Sequence, residues 1–352
     1  MLDSKKFINE LVDQGYTHLC VVPCSFAKNI INECINNSNI EYLPSASEAV
    51  ACSIAAGLKI SGSKPIVIVQ SSGFTNMISC ITSLLKPYRI QFPIVTSLRT
   101  YKDGDSEIQH ELLSKNLVNL IESLNYDYDF LDSKNLSRAV DQINYSDTNF
   151  RICILNKDTF NKVELEKKHQ INLDNLSPRS HFLKILNHKF FCEDVSFVGT
   201  TGNLSREMYT FMPDTNNFYM AGNMGGALSL GLGVSLTGKK IFVCGGDAEF
   251  VMHMGGLTTT GRYIKKIDLT YILFDNQQNK STGGQNTYQD HLDYISIAKA
   301  CGFKCYEETI FEPNLFEKVI VSANELNFFH VKCGLDEVTK RPPPGIIKRN
   351  SL

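Results

Sequence analysis

The chain has 352 residues, 43% of them hydrophobic and 20% charged, with a formal net charge of −2, 23 glycines and 11 prolines. That length and composition suit a globular protein with room for two domains, and exclude a disordered or fibrous chain. No basic block stands out and no run reaches the roughly 18 apolar residues of a membrane span, so neither nucleic acid nor membrane is expected as a partner.

The N-terminal stretch MLDSKKFINELVDQG is amphipathic without a long apolar centre, so no signal peptide is expected. Apolar runs then alternate with helical patterns. THLCVV (17–22), IEYL (40–43), PIVIVQ (65–70), FPIVTSL (92–98), YDYDFL (126–131) and FRICIL (150–155) read as strands. After the second of these, SEAVACSIAAGLKISG reads as a helix with Ser47 as N-cap and an end near Gly62. This alternation predicts right-handed βαβ units and a parallel sheet.

A polar stretch, KVELEKKHQINLDNLSPRS (162–180), interrupts the rhythm. Strands resume at VSFVG (195–199), KIFVCGG (240–246), DLTYILF (268–274), FKCYEE (303–308) and LNFFHVKC (326–333). The expected fold class is α/β, with two doubly wound parallel-sheet domains over 1–160 and 181–352 and a linker at 161–180. The Lys/Arg residues of KRPPPGIIKR, interrupted by prolines, read as a solvated tail. Eleven cysteines are scattered without a CxxC pair, the usage of a reduced cytoplasmic protein, and His and Cys never cluster at zinc spacing.

One residue breaks the apolar logic. Asp247, in GGDAEF, closes what reads as a buried strand, and a buried carboxylate needs a partner. Asn276 follows 29 positions later at the end of the next strand, also where open α/β sheets bind ligands. A carboxylate, an amide oxygen and a backbone carbonyl are hard donors suited to Mg²⁺ or Ca²⁺, with coordination left for phosphate oxygens. Gly245 and Gly246 would let the backbone approach a diphosphate. Read alone, Asp247 is first a cap for the following helix, and Glu48 first of all a first-turn Glu complementing a helix dipole.

The spacing resembles the thiamine diphosphate signature, in which GDG is followed after a spacer by NN; here it stands as Gly246-Asp247-Ala248, then 249–274, then Asp275-Asn276. Further stretches resemble the phosphonopyruvate decarboxylase and sulfopyruvate decarboxylase family: VPCSF (22–26), QSSGFTN (70–76), EIQH (107–110), TTGNLSRE (200–207), AGNMGGALSLGLG (221–233) and STGGQ (281–285), with RPPPGIIK as a weaker match. The resemblance implies a pyrimidine-binding and a diphosphate-binding domain with no middle domain. It implies thiamine diphosphate and Mg²⁺ as cofactors, and a homodimer or larger homo-oligomer with active sites at subunit interfaces.

By the same resemblance, Asp247, the Asn276 amide and the Gln278 carbonyl bind the metal. Thr200, Thr201, Gly202, Gly246 and Ala248 receive the diphosphate, and Gly222, Asn223 and Met224 grip the aminopyrimidine. Glu48 is the acid beside N1′. Gln109 and His110 are proton-transfer or hydrogen-bonding groups. Ser25, at an expected helix start, joins Ser72, Asn76, Arg99, Lys280, Ser281 and Thr282 around an anionic substrate. The activity implied is non-oxidative decarboxylation of a short 2-oxo acid bearing a second anion, best matched by 3-phosphonopyruvate yielding phosphonoacetaldehyde and CO₂. Sulfopyruvate decarboxylation, an acyl-transferring relative and a non-catalytic relative are the alternatives. The departures are Ala248, Asp275 and Asn279-Lys280 ahead of STGG; if residue 248 needs a positive φ, its methyl costs about 1 kcal/mol.

Overall fold

In the computed structural model, which describes residues 1–101, 107–321, 325–336 and 340–347, the chain divides into two units. The first holds Met1–Gln170 with Asn279–Asn286, the second Ile171–Gln278 with Thr287–Leu352. The end of the basic tail lies outside the described residues.

The apolar runs of the first half become β1 (His18–Val21), β2 (Glu41–Pro44), β3 (Pro65–Gln70), β4 (Ile94–Ser97), β5 (Asp127–Phe130) and β6 (Arg151–Leu155). They form one parallel sheet in the order β2-β1-β3-β4-β6-β5. β3 is buried from Pro65 to Val69 because helices cover both faces of a parallel sheet, and each such aliphatic side chain contributes about 1.5–3 kcal/mol. The order reverses between β1 and β3, and that switch point opens a crevice at their carboxyl ends. The helix after β2 runs Glu48–Ile60, with the Ser47 side chain accepting from the Val50 amide and Gly62 following at φ 89.

Residues 161–164 are tied to this unit. Asn29, Asn32 and Asn36, on one face of the helix Lys28–Asn36, donate to the carbonyls of Phe160, Val163 and Glu164. Three amides at near-helical spacing hold that extended segment, and the division between the units falls only after Gln170.

The second unit repeats the plan. β7 (Val195–Gly199), β8 (Asn216–Tyr219), β9 (Lys240–Gly246), β10 (Asp268–Asp275), β11 (Lys304–Cys305) and β12 (Leu326–Lys332) form a parallel sheet in the order β11-β12-β10-β9-β7-β8. Its reversal lies between β7 and β9. Two elements differ from expectation. β8, sequence NNFY, is an edge strand whose polar residues gave no apolar run, and the strand expected over 303–308 pairs only at Lys304–Cys305. Among the described residues no helix is long and apolar enough to cross a membrane.

Candidate active site

In the first unit, the carboxyl edge of the sheet gathers polar side chains at the β1/β3 switch point. Arg99, two residues beyond β4, is buried; its Nη1 donates to Ser25 Oγ at 2.9 Å and to Gln70 Oε1 at 3.1 Å. Gln70 Nε2 in turn donates to Ser72 Oγ at 2.5 Å, and the Phe26 ring lies 4.8 Å from the guanidinium carbon. Ser25 does not start a helix. Cys24 and Ala27 both turn into the core, so a turn intervenes and the helix begins at Lys28. The Cys24 thiol is packed, with Sγ 2.9 Å from Ser97 Oγ. Glu107 Oε2 accepts from Gln109 Nε2 at 2.6 Å and lies 3.8 Å from His110 Nε2 and 3.9 Å from Arg99 Nη2.

Glu48 opens its helix and is 4% exposed. Its Oε2 accepts from Asn76 Nδ2 at 2.8 Å, which holds Asn76 against Glu48. Gly73 lies directly under the carboxylate, since a Cβ there would fall 2.0 Å from Glu48 Oε1. Lys280, Ser281 and Thr282 form a short 3-10 turn in the segment that groups with this unit. Gln285 fixes that segment: its Nε2 donates to Asn32 Oδ1 at 2.8 Å, and both side chains are fully buried.

In the second unit, the carboxyl ends of β7, β9 and β10 deliver Thr200, Asp247 and Asn276. Gly202, at φ 79, turns the chain into the helix Asn203–Phe211, and the Thr200 hydroxyl is buried without a hydrogen bond of good geometry. Asp247 begins the helix Asp247–Met252 and accepts from Thr287 Oγ1 at 2.9 Å. Burial, reinforced by the nearby Asp275 charge, pushes its carboxyl up to about 7. Asp275 is paired: burial opposes its ionisation, but His330 Nε2 at 3.2 Å and Lys332 Nζ at 2.7 Å hold its carboxyl below the usual range.

Asp275 and Asn276 build the next turn. Asp275 Oδ1 accepts from the Gln277 amide and Asn276 Oδ1 from the Gln278 amide, with Gln277 at φ 54. Ala248 is helical and absent from the positive-φ residues, so its methyl brings no left-handed strain. Gly245 has a different reason from the one expected: a Cβ there would meet the Tyr271 ring at 2.4–2.8 Å, whereas a Cβ on Gly246 would meet open space. Asn223 (φ 61) and Gly225 (φ 88) shape the Gly222–Gly226 turn, and Met224 is half-buried and outside both apolar clusters of this unit.

These residues fit a diphosphate and a divalent cation. A buried hydroxyl at Thr200 without a hydrogen bond of good geometry and an open cradle over Gly246 suit phosphate oxygens. A buried carboxylate at one strand end and a buried amide at the end of the neighbouring strand are donor types that suit Mg²⁺. Among the described residues no three His, Cys, Asp or Glu side chains gather as a metal cluster, so on the protein side such a cation would rest on the Asp247 carboxylate and neutral oxygens. Sequence reading missed Gln70, Thr287 and Glu249. The first ends a strand whose next residues were singled out, and the last stands two residues past Asp247.

The chain matches the N-terminal TPP binding domain of thiamine pyrophosphate enzymes over residues 4–112 and the C-terminal TPP binding domain over 198–331. It is 28% identical to a phosphonopyruvate decarboxylase of Streptomyces viridochromogenes over 86% of this chain and 81% of that protein. It is 24% identical to a sulfopyruvate decarboxylase of Methanosarcina acetivorans over 93% and 90%. The sulfopyruvate decarboxylase subunit beta of Methanocaldococcus jannaschii is 36% identical over 36% of this chain and 66% of its own length.

Proposed function

Since the chain belongs to the thiamine pyrophosphate enzymes, we propose that it is a decarboxylase of a short 2-oxo acid carrying a second anion, with 3-phosphonopyruvate as substrate and phosphonoacetaldehyde and CO₂ as products. The observation that carries the substrate class is the Arg99 array: a buried guanidinium backed by Ser25, Gln70 and Ser72 at a switch-point crevice. A planar guanidinium suits a phosphonate or carboxylate.

Bound thiamine diphosphate supplies the electron sink that loss of CO₂ from a 2-oxo acid requires. Glu48 holds a proton at N1′ of the aminopyrimidine, and the Gly222 carbonyl accepts from N4′. Met224 would pack against the cofactor, with Asn223 in the same turn. Thr200, Thr201 and Gly202 bind the diphosphate, with Gly246 and Ala248 lining its cradle. Asp247, the Asn276 amide and the Gln278 carbonyl hold Mg²⁺. Arg99 and its serines orient the substrate anion, Lys280, Ser281 and Thr282 cover it, and Gln109 and His110 serve proton movement at the product carbon.

The working form is a homodimer or larger homo-oligomer in the cytoplasm, where eleven free cysteines suit a reducing compartment. Glu48 stands in one unit and Asp247 in the other, and a partner subunit can complete what either half-site lacks. The helix Glu48–Ile60 leaves Val50, Ile54 and Ile60 exposed, an apolar face a subunit would cover. Sedimentation should give at least a dimer, and a cofactor-loaded active monomer would defeat that part.

CO₂ release with thiamine diphosphate and Mg²⁺ tests the reaction. Phosphonopyruvate should be turned over with a higher kcat/KM than sulfopyruvate or pyruvate. A preference for sulfopyruvate would reassign the substrate, and no release from any of the three would favour a non-catalytic relative.

A further inference from the structure

Glu249 is 4% exposed, and it stands among three cofactor segments without a place in the roles assigned above. Its Oε1 accepts from the Ala227 amide at 3.0 Å, at the first residue of the helix Ala227–Ser235. Its Oε2 is buried without a hydrogen bond of good geometry, as is the Thr200 hydroxyl, which favours the ionised form of this carboxylate. The Gly246 amide, at the N-cap of Glu249's own helix, also favours the ionised carboxylate. Thr200 follows β7, Ala227 closes the turn that follows β8, and Gly246 ends β9. Glu249, on the segment that leaves β9, is thus hydrogen-bonded to the segment that follows β8 and stands by Thr200, which follows β7.

An apolar residue would fill this buried position without the desolvation cost of an acid. What a carboxylate adds is a strong acceptor for an amide at a helix N-terminus. The Gly222–Gly226 turn just upstream holds Asn223 and Gly225 at positive φ and needs its downstream end fixed. We propose that Glu249 is a positioning residue for the cofactor: its carboxylate ties the aminopyrimidine turn 222–226 to the strand ends that carry Thr200 and Asp247, so that pyrimidine grip and diphosphate site keep one geometry. This rests on the reading of Gly222, Asn223 and Met224 as the aminopyrimidine grip.

Calorimetric titration of the full-length apoenzyme, with Mg²⁺ present, tests the idea through two probes, thiamine diphosphate and inorganic pyrophosphate. Glu249→Leu should weaken thiamine diphosphate at least tenfold and leave pyrophosphate within threefold, because only the first needs the turn. Glu249→Gln keeps an acceptor oxygen for the Ala227 amide and should stay within threefold of wild type for both. Wild-type affinity for thiamine diphosphate in Glu249→Leu would overturn the proposal, as would equal losses of both probes, which mean a general structural role. Should Glu249→Leu fail to fold, Glu249→Asp, one methylene shorter, should show the same selective loss, and equal affinities to wild type would overturn the proposal. Wild-type protein that binds pyrophosphate but not thiamine diphosphate would remove the cofactor reading, and this inference with it.

Discussion

The carboxylate of Glu48 occupies the space that a side chain at Gly73 would need, with Oε1 only 2.0 Å from where that Cβ would stand. Asn76 closes the arrangement from one helical turn further on, donating to Oε2 at 2.8 Å. The small residue in QSSGF is thus there for an acid 25 positions earlier, and one substitution can move the acid without removing it.

Gly73→Ala should displace the Glu48 carboxylate while leaving the core in place, because the clashing atoms are the far end of a flexible side chain. Activity should fall about 10- to 100-fold, a lesser version of losing a positioned acid. Thermal unfolding should change by only a few degrees. Unaltered kcat in a folded Gly73→Ala protein would contradict the proposed role of Glu48 at N1′ of the aminopyrimidine.

Arg99→Met removes the guanidinium but keeps an unbranched apolar stem. If Arg99 holds the second anion, KM for phosphonopyruvate should rise about 10- to 100-fold, the range of a lost charge-assisted hydrogen bond. Turnover of pyruvate, which lacks that anion, should change far less. Equal effects on both substrates would mean that Arg99 only supports the fold through Ser25 and Gln70.

Asp247 and Glu249 are each pushed up to about 7 from ordinary values of 3.8 and 4.5. Between those ordinary values and 7 the unfolded chain has released protons that the folded chain retains. Their contribution therefore makes metal-free stability fall as pH rises through that window and level off above it. If Asp247 binds Mg²⁺, the metal with thiamine diphosphate should favour its ionised form and stabilise the protein more at pH 8 than at pH 5. Asp247→Ala should lose Mg²⁺-dependent cofactor retention with little change in fold. A series of unfolding temperatures against pH, with and without Mg²⁺ and cofactor, checks both statements.

Strands such as PIVIVQ were legible because burial on both faces demands a continuous apolar run, and their ends pointed to the crevices. β8 was not, since an edge strand tolerates the polar Asn216 and Asn217. Ser47 announced its helix through capping chemistry that is local in sequence. The long-range contacts were silent. Nothing in the sequence joins Gln285 to Asn32, 253 positions apart, or shows that Gly245 is small because Tyr271 lies against it. Glu249 was hidden for another reason: next to Asp247 it read as one more residue of a helix start, and its partners come from two other strands.

Proton exchange at C2 of bound thiamine diphosphate, followed by NMR after acid quench, tests the central claim without requiring the substrate to be known. Glu48 should accelerate that exchange by holding a proton at N1′. Wild-type protein should therefore exchange far faster than free cofactor. Glu48→Gln should bind cofactor only modestly less tightly, yet exchange about 10²–10⁴ more slowly. Equal rates in the two proteins would take Glu48 out of the mechanism, and wild-type exchange no faster than free cofactor would contradict catalysis itself.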